Sequence, residues 1–161
     1  MTARVFPFAG LLIAHGASPA DATRLADVAR AVTDAGASPV VAALAPDVDA
    51  PAGVRVVRTR SQGSAIAAIR LGMAQLTNTV AQAVLLVPLG AKWTSLVSLL
   101  ALVDAAKRDE QAVVAFSDAS LDESALLVPR DAWLELVTVG ESGMNAVAAR
   151  RRVLRVSAEP A

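Results

Sequence analysis

Short apolar runs alternate with longer segments of helical period along this chain, and that alternation most limits what it can fold into. "AGLLIA" (9–14), "PVVAAL" (39–44), "VRVV" (54–57), "AVLLVP" (83–88), "AVVAF" (112–116) and the 124–128 part of "SALLVP" predict strands. Between them, "SPADATRLADVARAVTDAG" carries Leu25, Val28, Ala29 and Val32 at helical spacing, with Gly36 as the stop. "QGSAIAAIRLGMAQL" (62–76) puts Ile66, Ile69, Met73 and Leu76 on one stripe. "TSLVSLLALVDAAKRD" is apolar nearly all round through Val103, so it is buried or faces a partner. A short helix near "DAWLEL", another from about Ser142 to Arg152, and "VLRV" as a terminal strand complete the order. Strands separated by helices of this length require a mostly parallel sheet covered on both faces. The expectation is one α/β domain over residues 1–161, a three-layer αβα sandwich.

Composition agrees with a packed core and narrows the partners. Of the 161 residues 55% are hydrophobic but only 3% aromatic, so Ala, Val and Leu must build the interior. The chain has no cysteine, which excludes disulfides and thiolate metal sites. Fifteen basic and fifteen acidic residues cancel, leaving no electrostatic footprint for nucleic acid or anionic lipid. Arg150, Arg151, Arg152 and Arg155 form a local basic cluster, read first as a solvated helix end and second as a phosphate patch. The longest uncharged run, Leu71 to Ala91, is broken by Gln75, Asn78, Gln82 and Pro88, so no membrane span is expected. No secretory signal is visible at the N-terminus, and a cytoplasmic protein is the default expectation.

Ligands of such sheets sit beyond the carboxyl ends of the strands, so the loops at 15–20, 45–51, 58–64, 89–94 and 117–123 carry the candidates. In "AHGASPAD", Gly16 permits a tight turn with exposed backbone N–H groups, a candidate anion site; the plain alternative is a turn capped by Ser18 or Asp21. His15 is the only histidine, a candidate base or ligand that lacks an obvious partner in sequence. "LLIAHG" at a strand end is also similar to the histidine loop of the small sirohydrochlorin-type chelatases. Gly63 and Ser64 open a helix after Arg58 and Arg60, either a ligand-facing helix start or an ordinary cap. In "AVLLVPLGAKWTS" (83–95) the loop offers Gly90, Ala91 and Lys92, with no carboxylate. Asp118, Asp122 and Glu123 are candidates for a displaced metal site, or for a solvated loop.

From "QGSAIAAIRLGMAQL" through "AVLLVPLGAKWTS", "AVVAF" and "ESALLVPRDAWLEL" to "GESGMNAVAARRRVLRV", the chain resembles the MobA-like nucleotidyltransferases over about residues 9 to 157. Those enzymes attach GMP or CMP to the molybdenum cofactor, and relatives load nucleotides onto other small acceptors. The resemblance implies a Rossmann-like nucleotidyltransferase (glycosyltransferase-A-like) fold. It also implies a nucleotide site, with the triphosphate beside Gly16 and the base or ribose near Gly63 and Ser64; Ser18 of the first loop joins these candidates, as does Lys92, either a phosphate contact that replaces part of the metal's charge or a surface lysine at a helix start. "GESG" at 140–143 matches the family's turn near the acceptor.

Three family features are missing. The first loop runs straight into its helix about ten residues early, without the phosphate-binding lysine; Gly90 stands where the magnesium-binding aspartate is expected; and the terminal acidic motif is absent. Nucleotidyl transfer depends on neutralising a triphosphate with metal and cations, and removing one such element commonly costs a factor of about 10²–10³. The expectation is a degenerate member that binds a nucleoside triphosphate without useful turnover, magnesium being doubtful, or that serves a protein partner or forms a homo-oligomer through the apolar helix from Ser95 to Ala106. An active magnesium-dependent transferase and a chelatase are the alternatives.

Overall fold

In a computed structural model, which describes residues 6–60, 63–117, 120–121, 124–138 and 147–157, seven strands form one sheet. They are β1 (Phe8–Ala14), β2 (Val40–Leu44), β3 (Arg55–Arg58), β4 (Ala83–Pro88), β5 (Val113–Phe116), β6 (Leu126–Pro129) and β7 (Val153–Val156). The helices are α1 (Ala22–Asp34), α2 (Ala65–Ala74), α3 (Leu96–Arg108) and α4 (Trp133–Thr138). The sheet order is β3-β2-β1-β4-β6-β5-β7. Only β6 runs against its neighbours among the described strands, pairing antiparallel with β4 and β5.

Alternation along each buried strand divides the core in two. Phe8, Leu12 and Ala14 of β1 point toward α1 and α3, whereas Ala9, Leu11 and Ile13 point toward α2 and α4. Each face has its own aliphatic cluster, as the three-layer expectation requires. The predicted stripe of α1, Leu25, Val28, Ala29 and Val32, is buried, and Gly36 ends the helix with φ +113°. Two glycines let helices approach β1 from opposite sides. A Cβ on Gly10 would lie 2.6 Å from Val32 of α1, and one on Gly72 of α2 would overlap Leu11.

The apolar helix at 95–106 is buried on one face only. In α3, Leu99, Leu102, Val103, Ala105 and Ala106 are in the core, while Leu96, Val97 and Leu100 remain exposed, Val97 at 62%. The helix expected from about Ser142 to Arg152 lies partly outside the described residues; within them, residues 147–148 are helical and the chain turns before β7. No described helix is long and apolar enough to cross a membrane.

Three of the four arginines of the basic cluster, Arg151, Arg152 and Arg155, are engaged by the fold, while Arg150 is exposed. Arg151 bridges to Asp131 at 3.2 Å and to Glu135 of α4 at 2.5 Å. Arg152 pairs with Asp109 at 2.6 Å, and Arg155 Nη1 donates to the Phe116 carbonyl at 3.0 Å. These contacts fasten the segment leading into β7 to α4, to the end of α3 and to β5.

Candidate functional site

The sheet order changes direction between β1 and β4, since β2 and β3 lie on one side and β6 and β5 on the other. A crevice opens at the carboxyl ends of two parallel strands at such a point. Here it encloses about 590 Å³. Its loops are tied together: Leu89 N–H donates to the Ile13 carbonyl at 3.0 Å, and Ala17 N–H to the Ala14 carbonyl at 3.2 Å.

The first loop brings His15 and Gly16 into the crevice. A Cβ on Gly16 would meet nothing within 4 Å, so the space beside its backbone is open. His15 is half-buried, and its Nδ1 is buried without a hydrogen-bond partner among the described residues. Buried polar atoms are normally paired, and this nitrogen, enclosed by the protein, is an exception among the described residues. Ser18 turns away into a local cap, where its N–H donates to Asp21 Oδ2 at 2.9 Å and its hydroxyl approaches the same oxygen at 3.4 Å.

Arg24, in the first turn of α1, reaches across to the second loop. Its Nε donates to the Leu89 carbonyl at 2.9 Å and its Nη2 to the Ala91 carbonyl at 3.1 Å. The guanidinium therefore clasps the two peptide groups on either side of Gly90, and Arg24 has no ion pair among the described residues. It also lines the crevice. A cation in the first turn of a helix opposes the macrodipole, and that misplacement was the sequence signal for a special role.

The other candidates lie at varying distance from the crevice. Lys92 is exposed, bridges by backbone to Ser124, and is not in the lining. Its neighbour Trp93 takes φ 58° and packs edge-on against Phe116 with centroids 5.8 Å apart. Ser64 caps α2 by accepting from Ala67 N–H at 3.1 Å, and Gly63 N–H donates to the Arg60 carbonyl at 2.9 Å. The crevice wall on that side comes instead from the residues that follow, Ala65, Ile66 and Ile69. Asp118, Asp122, Glu123 and the turn at 140–143 fall outside the described residues.

A divalent metal needs convergent carboxylates. A Cβ on Gly90 would meet nothing within 4 Å, so the place for a carboxylate exists and is vacant of one by sequence. Asp21 is the one carboxylate in the lining among the described residues, and it accepts a hydrogen bond from the Ser18 N–H. No group of three or more His, Cys, Asp or Glu able to hold a metal occurs among the described residues. Among the described lining residues only Asp21 and His15 have side chains able to ligate a metal, and Asp118, Asp122 and Glu123 lie outside them.

Solved structures share the fold. Rv0371c from Mycobacterium tuberculosis H37Rv, also crystallised with manganese, matches with TM-score 0.71 and 18% identity over 95% of this chain and 88% of that one. The chain has the nucleotidyltransferase fold. A 4-diphosphocytidyl-2C-methyl-D-erythritol synthase matches at TM-score 0.68 and 17% identity, over 96% of this chain and 90% of that one. A nucleotidyl transferase from Methanothermobacter gives TM-score 0.68 and 15% identity, over 96% and 88%. No family model and no curated protein matches the chain. At such identities the nucleotidyltransferase fold is shared, and the site chemistry has to be argued from this chain's own residues.

Proposed function

We propose that this protein binds a nucleotide in the β1–β4 crevice without magnesium and without transferring its nucleotidyl group. The observation that carries the reading is the Arg24 clasp around Gly90. The resemblance implies a metal-binding carboxylate at position 90; this chain has no side chain there and holds a guanidinium beside it. A fixed cation can neutralise a phosphate as a metal does, and Arg does so with directional hydrogen bonds. It cannot bridge attacking and leaving oxygens in the way a mobile, multiply coordinated metal can. Binding is thus retained while the transition state loses its main support. Gly16 leaves the backbone open to a phosphate.

Incubation with CTP or GTP and magnesium tests the catalytic half of this reading. The expected result is no release of pyrophosphate, with or without a small acceptor such as molybdopterin. Release above the uncatalysed rate sinks it and favours the second reading, an active transferase of the MobA-like type. That second reading draws support from the manganese complex of Rv0371c. A homo-oligomer seam along the exposed Leu96, Val97 and Leu100 of α3 is a further part of the proposal, and Val97→Lys should then lower the mass seen in solution.

A further inference from the structure

The crevice has a second half that a nucleotide does not explain. Beneath the polar rim its floor is Ile13, Leu86 and Leu126, one residue from each of three adjacent strands β1, β4 and β6. Ile66 and Ile69 of α2 and Leu136 of α4 close the side. The backbones beneath this floor are engaged in the sheet, with Leu11 opposite Leu86 and Leu86 opposite Leu126. Ser124, the polar side chain at that end, donates its hydroxyl to the Ser120 carbonyl at 2.8 Å. A nucleobase or a ribose placed on this floor would bury hydrogen-bonding edges that none of these floor residues can receive. A hydrocarbon has no such edges and gains from the same walls.

Among the described lining residues charge is confined to the mouth, where Arg24 keeps a positive charge and the Asp21 carboxylate is taken up by the Ser18 N–H. We propose that the crevice takes an amphipathic phosphomonoester, its single phosphate head against Arg24 and its alkyl body on the aliphatic floor. One guanidinium suits a single phosphate head, which it can meet with charge-assisted hydrogen bonds. The proposal rests on Arg24 as the anion contact, but not on a nucleotide being the ligand.

Calorimetric titration with n-alkyl phosphates from butyl to decyl, below their micelle concentrations, tests it on the unaltered protein. Each added methylene should tighten Kd about fourfold until the floor is filled. Inorganic phosphate and 1-octanol should each bind at least about tenfold more weakly than octyl phosphate, since each lacks one half of the ligand. Ile66→Asn, at a half-buried rim position, should flatten the chain-length series, whereas Arg24→Met should weaken every member by the same factor. Vesicles of anionic phospholipid should not bind, because the crevice takes a free molecule rather than a headgroup in a bilayer. A Kd independent of chain length, or binding to vesicles with no series among the monomers, overturns the proposal. Octyl phosphate binding while CTP and GTP do not would uphold it and refute the nucleotide reading; the converse would do the opposite.

Discussion

Two sets of arginines in this molecule lead opposite lives. Arg151, Arg152 and Arg155, crowded together in sequence, are each satisfied within the fold: two by carboxylates and one by a strand carbonyl. Arg24 stands alone in sequence, bonds two neutral carbonyls, and keeps its charge at the edge of a crevice. Charge density along a chain therefore points to the wrong region. What makes a cation available for a ligand is the absence of a carboxylate near it after folding, and that depends on which elements are brought together.

The comparison makes graded predictions. Replacing Arg24 should have the largest effect: Arg24→Met should weaken anion binding by about 10- to 100-fold, the range expected for a lost charge-assisted hydrogen bond. Arg24→Lys should not restore it, since one ammonium cannot span the two carbonyls around Gly90. Gly90→Asp comes next. The new side chain has open space, so the protein should fold; its carboxylate should pair with Arg24, lower nucleotide affinity several-fold and create no dependence on magnesium. A gain of magnesium-dependent binding would show instead that the site lacks only its carboxylate.

The tail arginines should respond in stability and not in binding. Arg151→Met should cost about 1 kcal/mol in chemical denaturation and leave ligand affinity unchanged. A phosphate patch would show the reverse. The hydrogen bond from Arg151 holds the Glu135 carboxyl below its ordinary value, against the opposing effect of burial. The carboxylate's stabilisation is then complete above the ordinary carboxylate range and fades as pH falls through it toward the lowered value. Acid unfolding curves of wild type and Glu135→Gln should converge as pH drops, the gap at neutral pH staying within about 1 kcal/mol. Asp109, lowered chiefly by its hydrogen bond from Arg152, follows the same direction. The smallest effect belongs to Lys92→Met, which should change ligand affinity by less than about twofold because the side chain is exposed to screening solvent.

The layers were legible because burial leaves a strong pattern. β4 occupies the residues expected of it, and the stripe of α1 is buried as spaced. The reversal of β6 was not legible, since an apolar run of four reads the same in either direction. Nor was the fit of α2 against β1 readable, because Gly72 looks like a weak point in a helix until Leu11 is seen beneath it. At the site, sequence placed Gly16 and the loop at Gly90 correctly at strand ends. It could not find Arg24, 66 residues before Gly90 in the chain and joined to that loop only by the folded contact between α1 and the end of β4. The apolar floor was hidden for a similar reason, as its residues come from three strands and two helices.

The central claim is that Arg24 stands in for a metal at the nucleotide site. A thermal-shift titration with CTP, GTP, ATP and UTP, each with magnesium and with a chelator, tests it most directly, because any ligand bound to the native state must raise apparent stability. The account predicts a rise in Tm with at least one nucleotide that is the same in magnesium and in chelator, and that disappears in Arg24→Met. A rise that requires magnesium, or no rise with any of the four, would contradict it.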